Sequence, residues 1–212
     1  MPETAVLLET LRRGLSSLAE DPDTHPCEQY INYLVLLDKW NKSYNLSGIK
    51  ELPMMLTHHV LDSLSVLPFL KGQRALDVGT GAGLPGLILA LARPEMFWVL
   101  LDSNQKKVRF VQQALLELGI ENVEVVHSRV EDYAPERFFS SITARAFNSA
   151  TQFCQQCGNL LLAEGRFILM KGPAVEEELA GLAEQGFNGK VEAVQVPELD
   201  ARRNLLLIER QH

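Results

Sequence analysis

The feature that most constrains the fold is a glycine-rich segment between an apolar strand pattern and an apolar helical pattern. The segment runs from Asp77 to Gly86 and contains Gly79, Gly81 and Gly83. Glycine lets the backbone turn tightly and approach a ligand closely. The helix that follows presents free N–H groups at its N-terminus. A strand, a glycine loop and a helix in this order predict a nucleotide-cofactor site in an α/β fold.

The chain beyond residue 73 alternates short apolar runs with amphipathic helical patterns. Predicted strands cover 75–78, 97–101, 123–126, 141–144, 167–170, 191–196 and 205–208, and predicted helices cover 84–92, 105–118, 150–162 and 175–185. This alternation predicts a mostly parallel sheet with helices on both faces. The last two strands have no helix between them, so we expect an antiparallel hairpin at a sheet edge.

The first 72 residues read as helix instead. Apolar residues recur at helical spacing over 6–18, 30–40 and 52–70, and the prolines of 21–26 and the turn-rich 41–48 separate these runs. We therefore predict an N-terminal helical cap over 1–72. The cap packs on a cofactor-binding domain over 73–212, and the two form one compact unit.

Composition narrows the class of partner and the compartment. The formal net charge of -7 argues against a protein that coats nucleic acid by bulk electrostatics, although a small local basic surface remains compatible with it. Three cysteines form no disulfide framework. No run approaches the ~20 apolar residues of a membrane span, and acidic residues stand where a signal peptide has basic ones. We expect a cytoplasmic protein without a membrane partner.

Two cofactors compete for the glycine loop. Gly81-x-Gly83-x-x-Gly86 matches the dinucleotide fingerprint. Asp77 at the strand end favours a cationic ligand, because adenosylmethionine carries a sulfonium and an ammonium whereas a carboxylate would repel the pyrophosphate of NAD. Asp102 ends the next strand and can accept both ribose hydroxyls of either cofactor. The residues favour an adenosylmethionine-dependent methyltransferase. An NAD(P)-binding oxidoreductase and a non-catalytic division or assembly factor with a vestigial site are the alternatives.

The chain also carries short motifs by which it resembles the RsmG family, also called glucose-inhibited division protein B, over nearly its whole length. The motifs are Tyr33-Leu34-x-x-Leu37-x-x-Trp40-Asn41 with Asn45-Leu46, His59-x-Leu61-Asp62-Ser63, Asp77 to Gly86, Arg129-Val130-Glu131, Thr143-Ala144-Arg145-Ala146-Phe147 and Met170-Lys171-Gly172. The resemblance implies a Rossmann-like, seven-stranded methyltransferase sheet. It further implies a monomer that methylates N7 of a guanine in 16S ribosomal RNA of the small subunit.

The resemblance also implies roles for individual cofactor residues. Gly79 and Leu84 are expected to line the cofactor pocket. Val130 and Glu131, after the third strand, are expected to face the adenine. Arg145, after the fourth strand, is expected between the cofactor and the target base.

The expected chemistry needs no general base, because N7 of guanine has an in-plane lone pair and no proton to lose. Positioning the reactants can supply several kcal/mol of such a barrier. Arg145 is expected to hold a phosphate or guanine O6, and Lys171 closes the fifth strand in reach of the substrate. Asp62 is expected to favour the developing positive charge. His59 forms an i, i+3 pair with Asp62, which either joins the cap to the sheet or forms a pocket wall.

Four other features are expected to have simpler roles. The sparse histidines and cysteines predict no metal site. Cys154 and Cys157 lie in an apolar helical run and are expected to be buried small hydrophobic residues. The stripe that includes Trp40 is expected to pack the cap on the sheet. Lys106 and Lys107 are expected to be solvated or to meet RNA phosphates.

Overall fold

The computed structural model describes residues 2–172, 175–199, 201 and 203–211. Among these residues seven strands form one sheet, in the order β3-β2-β1-β4-β5-β7-β6. The strands are β1 Arg74–Val78, β2 Phe97–Asp102, β3 Val123–His127, β4 Phe139–Arg145, β5 Leu161–Lys171, β6 Phe187–Val194 and β7 Arg203–Arg210.

Helices precede the sheet and connect its strands. The α-helices are α1 Pro2–Ser17, α2 Cys27–Tyr44, α3 Leu52–Met55, α4 Asp62–Leu64, α5 Gly86–Ala92, α6 Gln105–Leu118 and α7 Ala150–Cys157. A π-helical segment, Leu56–Leu61, joins α3 to α4. Short 3-10 turns cover Leu67–Phe69, Val130–Asp132, Gly158–Leu160, Glu176–Leu179 and Ala183–Gln185.

The sheet is parallel up to its last two strands. β1 pairs in parallel with β2 and β4, and β3 and β5 extend it outward in parallel. β7 is antiparallel to both β5 and β6, which confirms the predicted hairpin. β7 lies between β5 and β6, so β6 is the edge strand. This tail differs from the two-halved parallel sheet of dinucleotide-binding folds.

Most helix boundaries follow from local chemistry. The side chain of Asn104 accepts a hydrogen bond from Lys106 N at the start of α6, and Gly119 ends the helix with a φ of 65°. The side chain of Ser149 caps α7 in the same way. α7 is shorter than the predicted 150–162, because β5 already begins at Leu161.

The predicted helix over 175–185 is wrong. The structure has two 3-10 turns there, separated by Gly181, which has a φ of +83°. A positive φ cannot continue a right-handed helix. The predicted helix over 52–70 is also irregular, because its helical course through residue 64 includes the π-helical segment.

Both faces of the sheet are buried, which explains the continuous apolar runs of β1 and β2. Trp98 and Leu100 of β2 point to the face covered by the cap, α5 and α6, whereas Val99 and Leu101 point to the face covered by α7. Tyr33 of α2 is fully buried, and its hydroxyl donates to Ala82 O of the glycine loop at 2.8 Å. The cap therefore contacts the loop directly.

None of the helices in the described ranges combines the length and apolar character of a membrane span. Cys154 and Cys157 are free thiols buried in the core under α7, and burial raises their pKa values. They are packing residues, as predicted.

A candidate cofactor and substrate site

The glycine loop folds around the carboxylate of Asp77. This side chain is fully buried, and its Oδ2 accepts from Thr80 Oγ1 at 2.6 Å and from Gly86 N at 3.0 Å. Its Oδ1 accepts from Thr143 Oγ1 of β4 at 2.9 Å. Burial raises the pKa of Asp77 to about 6, and these three donors oppose that rise. Asp77 therefore ties β1, the loop, α5 and β4 together.

A first cavity, of about 220 Å³, opens at the carboxyl ends of β1, β2 and β3. Its lining includes Gly79, Asp102, Val130 and Glu131, four residues predicted to bind the cofactor. Ligands of open parallel sheets bind at this edge. The structure therefore brings these four residues together in one place.

Asp102 is held in position by backbone donors. Its Oδ2 accepts from Gly81 N and its Oδ1 accepts from Asn104 N, both at 2.8 Å. Each carboxylate oxygen has a second lone pair, so both can still accept a ribose hydroxyl. Lys107 Nζ lies 4.0 Å from Oδ2. Gly81, with a φ of +60°, thus acts by fixing Asp102 and does not line the first cavity.

The first cavity suits a nucleoside-bearing cofactor. Gly79 has a φ of +68°, and no protein atom lies within 4 Å of the position that a Cβ would occupy there. The backbone therefore faces open space that a ligand can fill closely. Val130 and Phe147 provide apolar surfaces for a base, and Asp102 provides acceptors for ribose.

Like Gly81, three further residues of the predicted cofactor-binding loop lie outside the first cavity. Asp77 lies beneath the loop with all three donors inside the protein, which corrects its expected contact with a cationic ligand. A Cβ on Gly83 would lie 3.0 Å from Leu87 Cβ, so this glycine serves the packing of α5. Leu84 is 2% exposed within the core and lines neither cavity, so its contact with a cofactor stays a prediction.

Sequence reasoning missed one wall of the first cavity. Gln152 and Gln156 lie one turn apart on α7, and both line it. Gln156 Nε2 donates to Glu131 Oε1 at 2.8 Å, and so orients that carboxylate. The i, i+4 glutamine pair directly after the fourth strand is the signal that could have indicated this wall.

A second cavity, of about 290 Å³, lies on the other side of the β4–α7 connection. Arg145, His59, Asp62 and Lys171 line it, so the four residues predicted to act on the substrate converge. Arg145 lines this cavity, whereas Phe147, two residues later, lines the first one. The expected place of Arg145 among the cofactor contacts therefore needs correction toward the substrate side.

His59 is an uncharged ring that holds Arg145 in place. Arg145 Nη1 lies 3.4 Å from His59 Nδ1 and donates to His58 O at 3.3 Å. A guanidinium can only donate, so Nδ1 accepts and the ring proton is on Nε2. Nε2 then donates to Ser47 Oγ at 2.8 Å. Burial, with a further contribution from Arg145, lowers the pKa of His59 to about 4.

Asp62 contacts the last strand of the sheet. Its Oδ1 accepts from Arg203 Nε of β7 at 3.1 Å. Burial raises the pKa of Asp62, and the charges of Arg203 and Arg145 oppose that rise. His59 and Asp62 therefore do both things that their spacing suggested, since they join the cap to the sheet and they line a cavity. Arg203 was not predicted at this site.

Lys171 does not present its ammonium group freely to the second cavity. Nζ donates to Phe147 O at 2.5 Å and to Glu178 Oε2 at 2.6 Å, and the residue is 9% exposed. This corrects the expected contact with substrate, because the charge is already paired inside the protein. Lys171 holds the β4–α7 connection that separates the two cavities.

The described residues contain no group of three acidic, histidine or cysteine side chains arranged as a metal site requires.

A family model described as GidB, rRNA small subunit methyltransferase G, matches residues 26–206. The chain belongs to the GidB family. The resemblance drawn from the sequence motifs is thereby confirmed.

Individual members of the GidB family align with nearly the full chain. A protein of Marinobacter nauticus named ribosomal RNA small subunit methyltransferase G is 42% identical over 200 residues, 94% of each chain. A protein of the same name from Chromobacterium violaceum is 45% identical over 197 residues, 92% of this chain and 94% of that one.

Solved structures show the same fold. Magnesium protoporphyrin IX methyltransferase from Synechocystis PCC 6803, solved with bound S-adenosylmethionine, has a TM-score of 0.62 at 16% identity and covers 84% of this chain and 97% of that one. Ribosomal protein L11 methylase from Lactobacillus delbrueckii subsp. bulgaricus has a TM-score of 0.56 at 19% identity, with 72% and 77% covered. The Rossmann-like methyltransferase fold is confirmed. Membership of the GidB family identifies S-adenosylmethionine as the cofactor, and the NAD(P) alternative is wrong.

Proposed function

We propose that this chain transfers a methyl group to N7 of a specific guanine in the 16S ribosomal RNA of the small subunit. The GidB relatives, named for the small-subunit ribosomal RNA, support the substrate class. The observation that carries the proposal is the second cavity, in which a neutral histidine holds an arginine beside the cofactor cavity.

Residues of the first cavity hold the cofactor in this proposal. S-adenosylmethionine supplies the methyl group when bound. Asp102 accepts the ribose hydroxyls, and the bare backbone of Gly79 allows close approach. Val130 and Phe147 pack against the adenine, and Glu131, oriented by Gln156, meets its polar edge.

Residues of the second cavity position the guanine. Arg145 donates to guanine O6 or to a phosphate, and it must leave N7 free, because a donor there would occupy the reacting lone pair. In this proposal the Asp62 carboxylate, which lines the same cavity, stabilises the positive charge that develops on the base. His59 keeps the Arg145 guanidinium in place.

The protonation state of His59 in this cavity is consistent with a reaction that removes no proton from the substrate. A general base is most effective with a pKa near the working pH. His59, with its pKa lowered to about 4, is a poor base near neutrality, and its Nδ1 lone pair already faces Arg145. Alignment and exclusion of water are then the main contributions of the protein.

The target guanine must reach a cavity that lies below the protein surface, so we propose an extruded or loop nucleotide as the substrate. Arg145, whose contacts are His58 O and the neutral His59 ring, gives this cavity a local positive charge despite the net charge of -7. We further propose that the enzyme acts as a monomer in the cytoplasm, where ribosomal subunits are found. Sedimentation of the purified protein at micromolar concentration tests the monomer.

The decisive experiment combines purified protein, labelled S-adenosylmethionine and small ribosomal subunits from cells that lack this gene. The RNA is digested and its nucleosides are identified by mass. We expect new 7-methylguanosine at one site. The matched control is Arg145→Lys, which keeps a positive charge but loses the planar fork, and we expect a roughly 10- to 100-fold lower rate.

Other outcomes of this experiment would reject parts of the proposal. Transfer to another atom or base would retain the methyltransferase and reject N7 of guanine. Cofactor binding without transfer to subunits or to free 16S RNA would reject the substrate. It would then favour a non-catalytic assembly factor with a vestigial site.

A further inference from the structure

Tyr44 presents an aromatic ring to solvent at the C-terminal end of α2. The residue is 46% exposed, and its ring stacks on Trp40 with centroids 5.2 Å apart and planes 29° apart. Trp40 in turn packs edge-on against the buried ring of Phe110, with centroids 5.6 Å apart. These three residues, the aromatic stack, hold an exposed ring in a fixed orientation. A single exposed aromatic residue is ordinary, but one supported by two further rings is pre-organised for contact.

Two exposed lysines lie on the segments that adjoin the aromatic stack. Lys106 is exposed and lies one helical turn before Phe110 on α6, hence on the same side of that helix. Lys50 is exposed on the connection that follows Tyr44. Within the described residues, neither lysine has an ion-pair partner. An exposed ring with lysines on the adjoining segments suits a base and its neighbouring phosphates.

The connection after Tyr44 links the aromatic stack rigidly to the second cavity. Asn41 Nδ2 donates to Ser47 O at 2.9 Å and to Ile49 O at 3.2 Å, and Asn41 Oδ1 accepts from Ser47 N at 2.8 Å. Ser47 Oγ contacts His59, and Ile49 lines the second cavity. These contacts hold the end of α2 that carries Tyr44 in a fixed position relative to the second cavity.

We propose that the ring of Tyr44, backed by Trp40, stacks on an unpaired base of the ribosomal RNA close to the target nucleotide. Lys50 and Lys106 neutralise the neighbouring phosphates. Aromatic side chains are the usual platforms for unstacked RNA bases, and stacking tolerates any base because each has a flat face. This inference rests on the proposed function for its substrate. It adds a docking surface outside both cavities.

The test compares two substitutions that distinguish the aromatic face of Tyr44 from its apolar volume. Tyr44→Phe keeps the aromatic face, and we expect a KM for small subunits within about twofold of the parent value. Tyr44→Leu keeps apolar volume without the face, and we expect a rise in KM of about tenfold, the usual cost of losing one stacked base. The kcat and the affinity for S-adenosylhomocysteine should stay at parent values, because neither variant touches a cavity.

Phe138→Leu is the matched control. Phe138 has a ring that is 51% exposed, and it directly precedes β4. It therefore lies at the amino end of that strand, away from the carboxyl ends where the cavities open. We expect no change in KM from this variant. Lys106→Ala and Lys50→Ala should each reduce the salt dependence of KM, as the loss of a phosphate contact does.

A binding measurement separates this inference from the proposed function. The variants are bound to small subunits from cells lacking the gene, with S-adenosylhomocysteine present. If the parent binds subunits without methylating them and Tyr44→Leu binds about tenfold more weakly, the docking surface stands and the reaction is wrong. If Tyr44→Leu binds as tightly as the parent, the docking surface is wrong. An equal loss in Tyr44→Phe and Tyr44→Leu would also overturn it, because the hydroxyl and not the ring would then matter.

Discussion

Asp77 is a charged residue that the fold encloses completely and surrounds with donors from three segments. The acid was predicted from the glycine motif, but the sequence could not show which way its carboxylate points. Of the residues that do line the first cavity, Asp102 ends a strand and was predictable for that reason, whereas Val130 and Glu131 were expected from the family resemblance. Gln156 and Arg203 were missed because a helix face and a late strand bring them to the site from distant parts of the chain.

The first prediction concerns the buried donors around Asp77. Asp77→Ala leaves Gly86 N and the hydroxyls of Thr80 and Thr143 without their acceptor, so we expect the free energy of unfolding to fall by about 3 kcal/mol. Asp77→Asn keeps one acceptor oxygen and removes the buried charge, so we expect a change within about 1 kcal/mol. Urea unfolding followed by circular dichroism measures both. Equal damage from the two variants would show that the charge itself is required.

The second prediction concerns His59 and pH. Its folded pKa, about 4, lies below the ordinary value of 6.5, so the unfolded chain binds this proton more readily. The stability from His59 is therefore present above pH 6.5 and is lost as pH falls toward 4. Asp77, with a raised pKa, contributes the opposite slope in the same range. The pH dependence of the parent's stability therefore combines two opposing contributions, and a comparison with a His59 variant is needed to separate them.

His59→Gln isolates this contribution, because the slope from Asp77 cancels in the difference. Between pH 7.5 and pH 5, we expect the stability of the variant to rise relative to the parent by about 2 kcal/mol. Denaturant unfolding at the two pH values gives the difference. A relative stability that does not change with pH would mean that His59 titrates normally in the folded protein.

At the scale of elements, the strands of the parallel sheet and the ends of α6 were predictable, because each carries a local signal such as the Gly119 cap. The π-helical segment Leu56–Leu61 was not, since its apolar spacing reads like that of an α-helix. The helix predicted over 175–185 was wrong, because the apolar spacing there fits a helix but the positive φ of Gly181 interrupts it.

The third prediction concerns the π-helical segment. Such a segment contains one residue more than an α-helix of the same rise and often occurs at functional sites. His58 is its only residue that is not buried, so deleting His58 should restore an α-helix at the least cost to the core. The deletion moves His58 O and His59 away from Arg145. We expect a fall of about 100-fold in the methylation rate, with cofactor affinity retained.

His58→Ala is the control for this deletion, because it shortens the side chain and keeps the extra residue. We expect its methylation rate to stay within about threefold of the parent rate. Single-turnover methylation with saturating cofactor compares the two variants. A deletion variant as active as the parent would show that the wide helical turn has no part in placing Arg145.

At the scale of the whole molecule, the helical cap and the sheet share one core. Leu37 of the cap belongs to the same buried cluster as Trp98 and Phe110 of the cofactor-binding part. The predicted boundary near residue 72 is thus a change of architecture. We propose that it does not separate two units that fold independently.

The fourth prediction follows from this shared core. A fragment covering 73–212 would expose the apolar face on which the cap packs, including Trp98, Leu100 and Phe110. We expect it to be insoluble or to lack a cooperative unfolding transition, because large exposed apolar patches promote association. Gel filtration and thermal circular dichroism, with the full chain as control, check this. A soluble monomeric fragment that unfolds cooperatively would establish two separate domains.

The strand order has a consequence for how the protein is made. The ribosome produces β6 before β7, yet among the described strands β6 pairs only with β7, which joins it to β5. β7 also carries Arg203, the partner of Asp62 at the second cavity. A nascent chain that has emerged only through β6 thus has an unpaired strand, and its second cavity lacks one wall. Synthesis of β7 then closes the sheet and completes the second cavity in one step, so we expect no methylation of RNA by a chain whose β7 has not yet been made.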